Sequence, residues 1–190
     1  GPNTEEHSMA ITVPADLVVH IGNYDSNWYL STDGQGETPD QLVQIWNRDP
    51  LAEGGRGSLW RITPVSGAPS ERDTTYRITL VNLGGDTTVC LSARRSRGED
   101  DNDPAHQGGQ GLVTAQTIAP DDPYQLWHVV PVDAEHPVFE ISPVPFPSYA
   151  LGGQNGFAAL DTLVRLTRKW GGGAVAAVQS WIVTPHRRPA

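Results

Sequence analysis

Few residues in this chain are spaced for catalysis. Its six histidines (His7, His20, His106, His128, His136, His186) are scattered, and none lies at metal-ligand spacing from a second ligand. No nucleophile elbow is present. The acids of Glu99-Asp100-Asp101-Asn102-Asp103 are crowded, but they lack the alternating spacing and following glycine of a calcium loop and read as a solvated insertion. We therefore expect no catalytic residue, no metal site and no cofactor. Val43-Gln44-Ile45-Trp46-Asn47 offers a different chemistry. An indole presents a flat apolar plate for the C–H face of a polyhydroxylated ring, and neighbouring amides supply hydrogen-bond partners for its hydroxyls. The plainer alternatives are that Trp46 covers an outer wall, that Gln44 is a solvated strand residue, and that Asp33-Gly34 is a turn.

The elements that must carry these residues recur three times. Trp60-Arg61-Ile62-Thr63-Pro64, Trp127-His128-Val129-Val130-Pro131 and Trp181-Ile182-Val183-Thr184-Pro185 share one pattern. Upstream lie Leu30, Leu91 and Leu151, and further upstream the strand-like Val19-His20-Ile21, Tyr76-Arg77-Ile78 and Phe139-Glu140-Ile141. A four-strand unit cannot bury its faces alone, so three copies must pool their apolar sides about one axis. Closing a barrel also removes free sheet edges. The expected fold is all-β, a β-trefoil of three pseudo-symmetric four-strand repeats and about twelve strands. Trp60, Trp127 and Trp181 should meet in its core with Leu30, Leu91, Leu151, Ile62, Val129 and Val183.

Composition agrees with one such domain. With 37% apolar residues among 190, 20 glycines and 16 prolines, the chain suits many short strands joined by tight turns. We assign residues 1–8 to a vector-derived tail and 9–190 to a single trefoil, with repeats of about 17–65, 74–132 and 137–186. Ala174 to Val178 reads as loop or a single turn. A net charge of −9 and short basic groups argue against nucleic acid, whose phosphates need a dense cationic face. No apolar run is long enough for a membrane span, and no secretion signal is visible. The lone Cys90 permits no intrachain disulfide. The expected setting is therefore cytoplasmic, with secretion as the alternative.

Gln125-Leu126-Trp127 and Gln179-Ser180-Trp181, with Ser58-Leu59-Trp60 as a degenerate third copy, resemble the Q-x-W motif of the ricin-B-type β-trefoil lectins from about Leu17 to His186. The resemblance implies a sugar pocket in a repeat that has an Asp beside the leucine, a stacking aromatic on the third strand and an Asn-Gln pair before the motif Trp. In repeat one, Gln44 and Trp46 fit the third-strand pair. Asp33 stands two places beyond the expected acid slot, which is Ser31, and Gly57-Ser58 replaces the Asn-Gln pair. Repeat three puts Arg165 and Thr167 where repeat one has Gln44 and Trp46, and repeat two offers no aromatic in Val113-Thr114-Ala115-Gln116. Asn155, Asp161 and Trp170 are a non-standard alternative in repeat three.

The expected function is glycan binding without catalysis. The sugar face would stack on Trp46, Asp33 would accept hydroxyl hydrogen bonds, and Gln44 and Asn47 would orient the ring. The partner would be a glycan or glycoconjugate, and homodimerisation or tethering would supply avidity. The rival reading is a trefoil protease inhibitor acting through Pro143-Val144-Pro145-Phe146-Pro147 or the long repeat-two loop.

Overall fold

The computed structural model describes residues 11–32, 38–47, 57–81, 88–94, 101–169 and 177–186. Its strands are β1 (Val18–Asn23), β2 (Tyr29–Thr32), β3 (Gln41–Trp46), β4 (Trp60–Ser66), β5 (Thr75–Leu80), β6 (Val89–Ser92), β7 (Gln110–Leu112), β8 (Thr114–Thr117), β9 (Trp127–Pro131), β10 (Val138–Pro143), β11 (Tyr149–Gly153), β12 (Val164–Arg168) and β13 (Trp181–Pro185). Helical structure among the described residues is limited to short 3-10 turns, one of them at Ala177–Gln179.

Antiparallel pairings run β1 to β4, β4 to β5, β5 to β9, β9 to β10, β10 to β13 and β13 back to β1, so six strands close a barrel. The remaining strands form hairpins β2–β3, β6–β8 and β11–β12, one per repeat. These hairpins are tied to one another through Leu42 opposite Thr114, Leu166 opposite Gly111, and the Gln44–Leu163 bridge. The architecture is the β-trefoil. Among the described residues there are thirteen strands rather than about twelve, because the third strand of repeat two changes partner at the buried Val113. Its first part, β7, pairs with β12, whereas β8 pairs with β6 and β3.

The repeated motif is legible as packing. A strand's side chains alternate between faces, so Trp60 and Ile62, Trp127 and Val129, and Trp181 and Val183 all turn inward and are fully buried or nearly so. Opposite them on the first strand of a repeat stand Ile78, Ile141 and Ile21, respectively. Each indole Nε1–H donates to the carbonyl of its repeat's leucine: Trp60 to Leu30 at 2.9 Å, Trp127 to Leu91 at 3.1 Å and Trp181 to Leu151 at 3.0 Å. The fixed leucine-to-tryptophan interval is thus a buried contact that satisfies the one polar atom of each core indole.

Candidate functional site

The β2–β3 hairpin places two of the four candidate residues together. Ser31 lies opposite Gln44, and Tyr29 lies opposite Trp46. Leu30 and Ile45 turn inward, so Gln44 and Trp46 share the other face of the hairpin. Trp46 is half-buried there, while Gln44 is only 8% exposed because β3 lies against the repeat-three loop. Asn47 follows the strand and is exposed. Asp33 lies outside the described residues. At the acid slot, the buried Ser31 hydroxyl bonds to the Ser58 hydroxyl at 2.7 Å. Two small side chains therefore close the space that an Asp and a motif Gln would share.

Hairpin register fixes the corresponding positions in the other lobes. Trp46 corresponds to Gln116 and Thr167, and Gln44 corresponds to Thr114 and Arg165. The two intact motif glutamines are structural clasps. Gln125 Nε2 donates to the Thr117 carbonyl at 2.9 Å, and its Oε1 accepts from the Ala119 N–H at 2.8 Å. Gln179 Nε2 donates to the Arg168 carbonyl at 2.8 Å and the Thr167 hydroxyl at 2.7 Å. Each pins the end of a third strand to the segment entering the core tryptophan.

Beside each clasp lies a cleft. That of lobe two, about 300 Å³, is lined by Arg94, Gln116, Asp122 and Gln125, among others. Here Arg94 pairs with Asp122 at 3.2 Å and sits 4.2 Å above the Tyr124 ring. Asp122 also accepts from the Tyr124 N–H at the start of a 3-10 turn. The cation is thereby committed within the protein. In the sequence only the Asp122-Pro123-Tyr124 turn signal before the motif hints at this cluster.

The lobe-three cleft, about 360 Å³, lies between Gly108-Gly109-Gln110 of repeat two and Gln154-Asn155-Gly156 of repeat three, over Thr167, Arg168 and Gln179. Its walls are cross-braced. Gln110 Nε2 donates to Asn155 Oδ1 at 2.9 Å, and the Asn155 N–H donates to Gln110 Oε1 at 2.7 Å. Arg165 donates to the Gln110 carbonyl and, at 3.1 Å, to Gln154 Oε1. Glycine is required at 153, because a Cβ there would lie 1.6 Å from the Phe157 carbonyl oxygen. Of the non-standard trio, Asn155 lines this cleft, Asp161 is exposed with its N–H bonded to the Ile45 carbonyl, and Trp170 lies outside the described residues.

No three His, Cys, Asp or Glu side chains gather to hold a metal ion among the described residues. No described helix is long and apolar enough to cross a membrane. The proline-rich Pro143–Pro147 segment folds back on the body. Its Val144 N–H donates to the Leu126 carbonyl, and Phe146 packs on Tyr124 with ring centroids 5.9 Å apart.

No protein-family model matches the chain, and no curated protein matches it. Solved structures do. The designed threefold-symmetric protein ThreeFoil superposes with a TM-score of 0.64 at 15% identity over 89% of this chain and 99% of its own. The Macrolepiota procera ricin B-like lectin, in complex with lactose, gives 0.55 at 17% identity over 94% and 100%. An exo-β-1,3-galactanase from Clostridium thermocellum, 1,3Gal43A, gives 0.62 at 14% identity over 92% of this chain, which spans 31% of that enzyme. The chain therefore has the β-trefoil fold of the ricin B-like lectins.

Proposed function

We propose that this protein is a glycan-binding module that recognises sugar without turning it over, with a site on the first lobe. The observation that carries the reading is the half-buried Trp46 beside Gln44 on the non-core face of the β2–β3 hairpin, in a fold shared with a lactose-bound lectin. The indole would stack on the apolar face of a pyranose, with Gln44, Asn47 and Asp33 engaging its hydroxyls. One shallow site of this kind binds weakly, on the order of −4 to −6 kcal/mol. Pairing of two copies, or tethering to a larger assembly, would raise avidity.

A glycan array probed with the wild-type chain and Trp46→Ala tests this. Binding that appears and then disappears with the indole supports the reading, and silence across a broad array overturns it. The rival inhibitor reading predicts titratable inhibition of papain-like or trypsin-like proteases. The folded-back Pro143–Pro147 segment gives it no protruding loop there.

A further inference from the structure

The lobe-two and lobe-three clefts differ most in charge. Lobe two holds a carboxylate and a guanidinium already paired. Among the described residues no carboxylate lines the lobe-three cleft, and the charged residue lining it is Arg168, which is exposed and has no ion-pair partner there. Arg165, on the same strand, is spent on bracing the wall. A lone cationic lining is conspicuous in a chain of net charge −9. The acid slot of this lobe is Gly152, where even a Cβ would lie 2.7 Å from the Thr167 hydroxyl. An acid cannot be accommodated there without displacing the floor.

The floor also holds an unused acceptor. Gln179 is 2% exposed, its Nε2 is fixed by the carbonyls and hydroxyl it meets, and its Oε1 has no partner among the described residues. In lobe two the equivalent Gln125 Oε1 is satisfied by the Ala119 N–H. The Gln179 oxygen is enclosed beneath the floor rather than open to the cleft, so the charged group a ligand can meet there is the exposed Arg168 guanidinium. At about 360 Å³ the cleft falls at the small end of ligand-binding clefts.

We propose that the lobe-three cleft binds an anionic saccharide, with its carboxylate or sulfate paired to Arg168 and its ring held between the Gly108–Gln110 and Gln154–Gly156 walls. This rests on the glycan-binding reading but uses a different lobe and opposite electrostatics from the Trp46 site. The cross-braced walls preorganise the cleft, so little ordering accompanies binding. A guanidinium engages carboxylate or sulfate oxygens through charge-assisted hydrogen bonds that a neutral hydroxyl cannot match.

Calorimetric titration with galacturonate, its neutral methyl ester and galactose 6-sulfate tests the assignment on wild type, Arg168→Gln, Gly156→Asn and Trp46→Ala. Gly156 has a left-handed φ of 77° and open space around an added Cβ, and asparagine tolerates that conformation while narrowing the cleft. The acid should bind about tenfold more tightly than its ester. Arg168→Gln should erase that difference, Gly156→Asn should weaken both, and Trp46→Ala should leave the difference intact. A preference for only one of the two anions supports the site and identifies the group. Equal binding of acid and ester, or a preference that survives Arg168→Gln, overturns the inference. Neutral binding lost only in Trp46→Ala, with no anion preference, does so while leaving the glycan-binding reading standing; no binding of any of the three ligands overturns the inference, and the glycan array alone decides the glycan-binding reading.

Discussion

Trp60, Trp127 and Trp181 each donate one hydrogen bond to a leucine carbonyl, at 2.9, 3.1 and 3.0 Å. The hairpin positions Trp46, Gln116 and Thr167 also correspond by register, yet they share neither size nor chemistry. The contrast separates two selective pressures on one backbone. Around the axis, three copies must fill a single close-packed core, and a departure in one is felt by the other two. On the lobes the neighbours differ: Trp46 is half-buried, Thr167 bonds to Gln179, and the buried Gln116 bonds to Asp40 and Thr114, so the repeats can diverge without disturbing the barrel.

Replacing a core indole should break this comparison most severely. Trp127→Ala should cost about 3–5 kcal/mol, read as a lowered urea midpoint, whereas Trp46→Ala should stay within about 1 kcal/mol. Equal losses would make Trp46 a structural residue and remove the distinction. Next in size, Gly153→Ala drives a Cβ into the Phe157 carbonyl and should cost about 1–3 kcal/mol. Hydrogen exchange should accelerate in residues 154–163 and leave the barrel strands protected. Gln125→Ala should cost about 1–2 kcal/mol by orphaning the Thr117 carbonyl and the Ala119 N–H. A neutral melt would show that the clasp is dispensable.

The smallest effect is electrostatic and confined to the exposed repeat-two loop, where His106 Nδ1 lies 2.6 Å from Asp101. The hydrogen bond to His106 holds the Asp101 carboxyl below its usual value of 3.8, and its counterpart from Asp101 raises the His106 imidazole above 6.5. The imidazole's contribution is present in full below pH 6.5 and fades as pH rises through its raised value. That of the carboxylate is present above pH 3.8 and fades as pH falls through its lowered value. An NMR titration of Asp101 should move up towards the ordinary range in His106→Ala, short of it because the Asp103 N–H still donates to the carboxylate, with no change in the global melt.

The barrel could be read from the sequence because its contacts are periodic. Strand alternation, the recurrent tryptophan and the upstream leucine each report a packing requirement that repeats three times. Counting back from Trp181 placed Arg165 and Thr167 opposite the roles of Gln44 and Trp46, and the observed register agrees. The clefts were illegible because they are built from single, unrepeated side-chain pairs. Gln110 reaches Asn155 across 45 positions, Arg94 reaches Asp122 across 28, and Ser31 reaches Ser58 across 27. No periodicity announces such meetings. An indole such as Trp46 is conspicuous in a sequence, whereas a glycine-walled cleft between two repeats is not.

Cys90 adds a practical consequence. It is buried, and burial pushes its thiol up to about 12, so at neutral pH it presents almost no thiolate for a maleimide to attack. The native chain is thus silent to thiol-directed dyes while folded. A cysteine introduced on any one lobe would become the sole attachment point for a fluorophore or spin label, allowing each lobe to be interrogated separately without first removing a native residue from the core.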